Sequence, residues 1–217
     1  MNLDAIKKRA KNAIVEADET EAFRITDQVL ILADKMTLDA LLNGFGEGNQ
    51  IVGEAFDKGE ISLPELIYSS ELMKNALARV FKKVDAREIE TLGTVLIATV
   101  EGDIHDIGKS IVATGLKLAG FKVIDLGRDV SVATIINQAE EHDVDIIATS
   151  ALLTTTLGEQ KKLEFALRDC RIREKYKTMV GGAPCTARWA KKIGADVYCG
   201  DVSDAIKKAK ELMKNGK

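Results

Sequence analysis

The sequence predicts an α/β protein in two parts: an N-terminal helical bundle over residues 1–85, then a doubly wound, five-stranded parallel sheet with its helices over 93–217. Three observations predict it. Apolar residues recur at helical spacing up to about residue 85. A polar, charged stretch at 86–92 then reads as a linker. Beyond it, short apolar runs alternate with helical patterns, as in chains of βα units.

In the first part, Ile6, Ala10, Ala13, Ile14 and Ala17 share one helix face, as do Ile25, Val29, Leu30, Leu32 and Ala33. Leu38, Leu41, Leu42 and Phe45 follow, and a last helix carries Leu66, Ile67, Leu72, Met73, Ala76, Leu77 and Val80. Breaks fall at Asp18-Glu19-Thr20, at Asp34-Lys35-Met36-Thr37 and at Asp57-Lys58-Gly59, with Thr37 read as an N-cap. Four or five antiparallel helices with short loops make a bundle. Gly44-Phe45-Gly46-Glu47-Gly48 is as glycine-rich as a phosphate loop but follows no strand. Small residues that let two helices pack closely are the better reading.

In the second part, strands are predicted at Thr94–Val100, Phe121–Leu126, Asp145–Ser150, Thr178–Val180 and Ala195–Tyr198. Helical patterns lie between them at 108–119, 131–142, 157–173, 185–193 and 203–214, and Asp201 or Ser203 can cap the last. Val95-Leu96-Ile97-Ala98 does not alternate, as a strand covered on both faces requires. The architecture is Rossmann-like, of the flavodoxin type.

Composition narrows the function. A net charge of −3 supplies no basic patch for nucleic acid. No apolar run approaches the ~20 residues of a membrane span. The N-terminus, Met1-Asn2-Leu3-Asp4, lacks the pattern of a signal peptide. Cys170, Cys185 and Cys199 are widely spaced, with no pair suited to zinc or a redox dithiol. The expectation is a reduced, cytoplasmic protein.

Ligands of such sheets bind at the carboxyl ends of the strands. One of the two histidines stands there, in Gly102-Asp103-Ile104-His105-Asp106-Ile107-Gly108-Lys109. His105 can offer a neutral ring nitrogen to a metal, and Asp103 can accept the proton on the other nitrogen. Gly108 would let a bulky group approach the backbone. The same residues also fit a polar loop in which the histidine bonds its neighbouring carboxylates. A single histidine does not make a protein-only metal cage. The ligand that needs one protein donor is a macrocycle whose metal is already held, haem or corrinoid. His142, in Glu140-Glu141-His142-Asp143, reads as a solvated helix terminus; Cys185 reads as a small buried thiol, and Trp189 as helix packing.

Asp103-x-His105-x-x-Gly108 resembles the D-x-H-x-x-G signature of the corrinoid-binding domain shared by cobalamin-dependent methionine synthase and related proteins. Ser150-Ala151-Leu152 matches the S-x-L element, and Gly181-Gly182 the G-G element, in the same order. The helical part is similar to the cap of these proteins at Val52-Gly53-Glu54-Ala55-Phe56, Gly59, Leu63-Pro64 and Ser69 to Lys74, with Ser62 where an aromatic is common. The resemblance runs from about residue 5 to 214. It implies cobalamin or a related corrinoid, carried as methylcobalamin, with His105 as axial cobalt ligand. Asp103 would bond His105, and Thr156 would complete the relay where the pattern has serine, with Thr154 a second hydroxyl in the loop. Asp106, Ile107 and Gly108 belong to the same cofactor-binding stretch. Ser150 and Leu152 would line a slot for the nucleotide tail, Gly181 and Gly182 would leave room for it, and Phe56 and Leu63 would shield the upper cobalt face.

A stand-alone cap and corrinoid domain is similar to the small corrinoid proteins of methylotrophic and acetogenic systems. That likeness implies a subunit that accepts methyl on cob(I)alamin from a substrate-specific methyltransferase of methanol, methylamine, betaine or methoxyaromatic type. A second methyltransferase, acting on a thiol or reduced pterin, would receive the methyl group, and a reductive activation protein would restore the metal. Neither nucleic acid nor membrane is expected as a partner. The alternative is a cobalamin-binding storage or sensory module without turnover. A flavodoxin-like domain using no corrinoid would leave Asp103 and His105 without a role.

Overall fold

Residues 2–32, 34–84 and 91–214 are described by the computed structural model. They belong to two units that divide between residues 88 and 89. The expected linker at 86–92 lies outside the described residues as far as residue 90. Leu92 already donates its N–H to Gly120 O, at 2.7 Å, within the second unit.

The first unit consists of α1 (Leu3–Val15), α2 (Glu19–Leu32), α3 (Lys35–Asp57) and α4 (Leu63–Val84). Each helix start has a polar residue that satisfies an orphan backbone N–H. Asn2 accepts from Asp4 N and Asp18 from Glu21 N, both at 2.9 Å. For α3 the cap is Asp34, which accepts from Thr37 N at 3.1 Å, and not the expected Thr37. Thr37 sits one turn inside the helix, and its hydroxyl bonds back to Asp34 O. Ser62, out of place beside an apolar cap pattern, opens α4: its N–H and hydroxyl both donate to Glu65, at 2.7 and 2.6 Å. This is the Glu65 half of a capping box, the side chain at the third helical position reaching back to the residue before the helix, and the Ser62 hydroxyl holds the Glu65 carboxyl below its usual range.

Two glycines of α3, Gly44 and Gly48, are packing devices. A Cβ at Gly44 would lie 2.4 Å from Lys7 O, and one at Gly48 would lie 2.8 Å from Lys11 O, so α1 and α3 meet backbone to backbone. Ile6, Ile14, Ile25, Leu41, Leu42, Phe45, Met73 and Leu77 fill the core. Leu32 and Ile67, expected among them, are about half exposed at 48% and 49%.

The second unit carries β1 (Thr94–Thr99), α5 (Ile107–Leu118), β2 (Lys122–Asp125), α6 (Val132–Glu141), β3 (Ile146–Ser150), α7 (Leu157–Asp169), β4 (Lys177–Gly181), α8 (Ala187–Ile193), β5 (Val197–Tyr198) and α9 (Val202–Lys214). The strands are all parallel in the order β2-β1-β3-β4-β5. The doubly wound sheet expected from the sequence is thus present, and its strand order reverses between β1 and β3, where a crevice opens at the carboxyl ends. Leu96, Ala98, Ile135, Ile147, Leu163, Leu167 and Tyr176 form a core between sheet and helices. α7 ends at Asp169 instead of 173, because Arg171 turns left-handed at φ 58° and Ile172 N closes onto Leu167 O. Asp201 caps α9 by accepting from Asp204 N at 2.8 Å. Among the described residues no helix is long and apolar enough to cross a membrane.

Candidate functional site

The site begins where β1 runs out. After Thr99 the chain makes one bridge, Val100 beside Val130, and turns through Gly102 at φ 77°. Gly102 N donates to Asp129 Oδ1 at 2.7 Å, and Asp129 N donates back to Asp103 O at 3.0 Å. The Thr99 hydroxyl donates to His105 O at 3.0 Å. The loop is therefore fixed on both sides before any ligand is considered.

Asp103 is fully buried at this position. Its Oδ1 accepts from His105 N at 3.1 Å and faces His105 Nδ1 at 2.7 Å. Its Oδ2 accepts from Leu152 N at 2.7 Å, Leu153 N at 3.2 Å and the Thr156 hydroxyl at 2.7 Å. Burial alone would raise the pKa of this carboxyl. The Thr156 hydroxyl, the His105 ring and the amides of Leu152 and His105 outweigh burial and hold it at about 2. Asp103 is a fixed anion around which the β1–α5 and β3–α7 loops are assembled.

The anion determines the histidine. A carboxylate only accepts, so the neutral His105 ring carries its proton on Nδ1 and presents the Nε2 lone pair. The His105 side chain is 45% exposed while its Asp103 partner is at 0%. Asp106 stands at the N-cap of α5 without a side-chain cap bond. Nothing in the protein lies within 4 Å of where a Gly108 Cβ would be, so the space beside that backbone is open.

Ser150 ends β3, and Leu152, Leu153 and Thr154 follow in an exposed loop, the two leucines 41% and 42% exposed. Of the two loop threonines expected at the site, Thr156 reaches Asp103 and is buried, whereas Thr154 faces solvent. Gly181 ends β4. Gly182 has φ 113°, and a Cβ there would fall 1.9 Å from Ala151 O. The missing side chain at 182 is thus required by the neighbouring loop itself, apart from any room it leaves for a ligand. Phe56 and Leu63, the remaining expected site residues, stand on α3 and at the start of α4 in the first unit, 36% and 55% exposed.

Sequence reasoning missed Thr99, the Leu153 amide and Gln160. Gln160 is fully buried between Thr149 O, Gly181 O, Cys185 and Trp189. Its one signal was a polar residue on the face of α7 that also carries Leu163 and Leu167.

Among the described residues no group of three or more His, Cys, Asp or Glu could hold a bare metal ion. One exposed imidazole, locked in its tautomer by a buried anion and lying beside exposed Ile104, Leu152 and Leu153, suits a metal that brings its own equatorial ligands. The residues fit a corrinoid held by His105 Nε2.

The chain matches two family models, each described as a B12 binding domain, over residues 93–210 and 6–80. It is 44% identical over 214 residues to trimethylamine corrinoid protein 2 of Methanosarcina acetivorans, covering 98% of both chains. The solved structure of the Methanosarcina barkeri monomethylamine corrinoid protein is similar with a TM-score of 0.82 and 32% identity, over 96% of this chain and 98% of that one. The methanol:cobalamin methyltransferase complex MtaBC from Methanosarcina barkeri is similar with a TM-score of 0.55 and 28% identity, over 97% and 80% of the two chains.

Proposed function

This chain belongs to the B12-binding corrinoid proteins, and from that premise we propose that it is the methyl-carrying subunit of a methylamine methyltransferase system, trimethylamine being its first-choice methyl source. The observation that carries the reading is Asp103, a buried anion that aims one imidazole and is itself held by the loop after β3. The 44% identity to a trimethylamine corrinoid protein over nearly the whole of both chains supports the choice of methylamine over methanol, betaine or methoxyaromatic donors.

When bound, the corrinoid supplies a cobalt that can accept a methyl group and yield it to a nucleophile. The chain's own contribution is to hold and tune that metal. His105 Nε2 would hold the metal. Asp103 keeps the Nδ1 proton in place and so makes Nε2 the better base. Thr156 and the amides of Leu152 and Leu153 keep Asp103 anionic throughout. Asp106, Ile107 and Gly108 line the approach to the metal. Ser150, Leu152, Thr154, Gly181 and Gly182 would border the nucleotide tail, and Phe56 and Leu63 keep the shielding role that the family resemblance implies for them.

On this reading the substrate site belongs to a partner methyltransferase. A second methyltransferase takes the methyl group to a thiol or reduced pterin, and a reductive activation protein keeps the metal competent. The protein works in the cytoplasm. Two measurements test the proposal. Reconstituted wild type and His105→Ala should differ in visible spectrum, with the lower ligand lost in the variant; identical spectra would refute histidine ligation. The reduced protein should be methylated by trimethylamine in the presence of a trimethylamine methyltransferase, and transfer from methanol alone would reassign the donor.

A further inference from the structure

Gln160 is completely buried on the inner face of α7, yet it takes no part in the Asp103 network. Its Nε2 donates to Thr149 O and to Gly181 O, both at 3.2 Å. Its Oε1 accepts from Trp189 Nε1 at 2.9 Å and Cys185 Sγ at 3.3 Å. The amide orientation follows from its partners, because carbonyls only accept and an indole N–H only donates. Every hydrogen-bonding position of this amide is therefore used at one place, where β3 and β4 both end.

Thr149 directly precedes Ser150, and Gly181 directly precedes Gly182. Cys185 and Trp189 lie on the segment that leaves β4 and enters α8. One side chain from α7 thus ties together the two strand ends and the turn that borders the candidate slot. Burial by itself does not call for glutamine here. A methionine of similar volume would fill the space with no amide to desolvate, and a buried amide is tolerated only when its partners are in place. The gain is positional: two carbonyls and two donors are held at set distances from a single rigid group.

We propose that Gln160 is a positioning residue for the nucleotide tail of the corrinoid, holding Ser150 and Gly181-Gly182 at the spacing that admits the tail. The proposal rests on the reading above that the tail enters between these strand ends. It separates two tasks in the site. Asp103 and Thr156 hold the metal ligand, while Gln160 holds the slot, with Trp189 as its anchor on α8.

The test uses the full chain titrated with cobalamin and with cobinamide, which has the same corrin ring but no nucleotide tail. Bound corrinoid is read by equilibrium dialysis and visible absorbance. Gln160→Met should weaken cobalamin binding about tenfold, in the range seen for outer supporting residues, and cobinamide binding less than about twofold. Should Gln160→Met fail to fold by circular dichroism, Trp189→Phe removes one bond and keeps an aromatic ring. It should weaken cobalamin about threefold, the scale of one neutral hydrogen bond, and spare cobinamide. Equal losses for the two corrinoids, or no loss for either, overturn the proposal. Wild-type protein that binds both equally well would overturn the underlying slot reading instead, so the two failures are distinguishable.

Discussion

The Thr156 hydroxyl donates to Asp103 Oδ2 at 2.7 Å across a sequence separation of 53 residues. It is the side-chain link between the loop that carries the histidine and the loop that follows β3. The same hydroxyl lies 2.9 Å from Leu153 O, but it has one proton, and the carboxylate is the stronger acceptor. Thr156 sits at the N-cap position of α7 without capping it. Its side chain is committed to the site at the expense of the helix.

Thr156→Val keeps the shape and removes the donor, so Asp103 stays anionic with one supporting bond fewer. The expected cost is about 1.5–3 kcal/mol of stability, the range for a hydrogen bond to a charged group. Cobalamin should still bind, but with a smaller fraction in the histidine-ligated form. Thr156→Ser should restore both. Urea unfolding and visible spectra of the three proteins check this, and a Val variant indistinguishable from wild type would remove Thr156 from the relay.

Two glycines of α3 should respond with opposite signs. Gly44→Ala gains helix propensity, about 1 kcal/mol. Its Cβ, however, would sit 2.4 Å from Lys7 O and 2.7 Å from Ala10 Cβ, so α1 must move away. A net loss of about 1–3 kcal/mol is expected for such overpacking. Gly53→Ala meets nothing within 4 Å and should stabilise by about 0.4–1 kcal/mol. Urea midpoints of the two variants decide; a stable Gly44→Ala would mean that the α1–α3 contact is looser than the backbone distances imply.

The Asp103–His105 end of the candidate site was legible because its chemistry is written at fixed spacing: an acceptor, a histidine two residues on, and a glycine at the next helix start. The strand alternation placed that loop at a carboxyl end. What stayed hidden depends on contacts made across the chain. Gln160 reads as an ordinary polar helix residue until β3, β4 and α8 close around it. Thr99 reads as one more β-branched strand residue, although its hydroxyl fixes His105 O. Helix ends failed where side-chain geometry decided them: Asp34 outcompetes Thr37 because its carboxylate reaches the Thr37 amide, and Arg171 stops α7 with a left-handed turn.

Thiol chemistry should separate the three cysteines. Cys170 is exposed. Burial pushes Cys185 up to about 11, with only partial opposition from the Gln160 bond, and burial aided by the Asp204 charge pushes Cys199 up to about 12. At pH 8 a disulfide reagent should modify exposed Cys170 quickly, half-buried Cys199 more slowly and buried Cys185 only as the protein opens. For buried Cys185 and half-buried Cys199 the folded pKa lies above the ordinary value of 9.0. Their stabilising contribution is therefore complete below pH 9 and is lost as pH rises toward 11–12, by at most about 1.4 kcal/mol per pH unit for each thiol. Urea midpoints at pH 8, 9.5 and 10.5 should fall less steeply in Cys185→Ala and Cys199→Ala, and parallel slopes would contradict the assignment.

The amino ends of the strands are held by a different network, and removing it should leave ligand binding intact. Glu164, 2% exposed, accepts from Arg173 Nε at 2.7 Å and Arg168 Nη2 at 3.1 Å, and from the Thr178 hydroxyl at the start of β4. Arg173 also donates to Asp196 at 2.9 Å, just before β5. Glu164→Gln removes the buried anion and leaves Arg173 with Asp196 as its remaining carboxylate partner in this cluster. Breaking a buried pair costs about 3–5 kcal/mol, and the surviving Asp196 contact argues for the lower end. The residues concerned sit at the opposite end of β4 from Gly181-Gly182, so cobalamin affinity of the folded variant should change by less than about twofold, as expected for separated sites. Urea unfolding with parallel equilibrium dialysis tests both halves. A variant that loses affinity as much as stability would mean that the two ends of the sheet are coupled, and that the strand spacing at the slot is set from below as well as by Gln160.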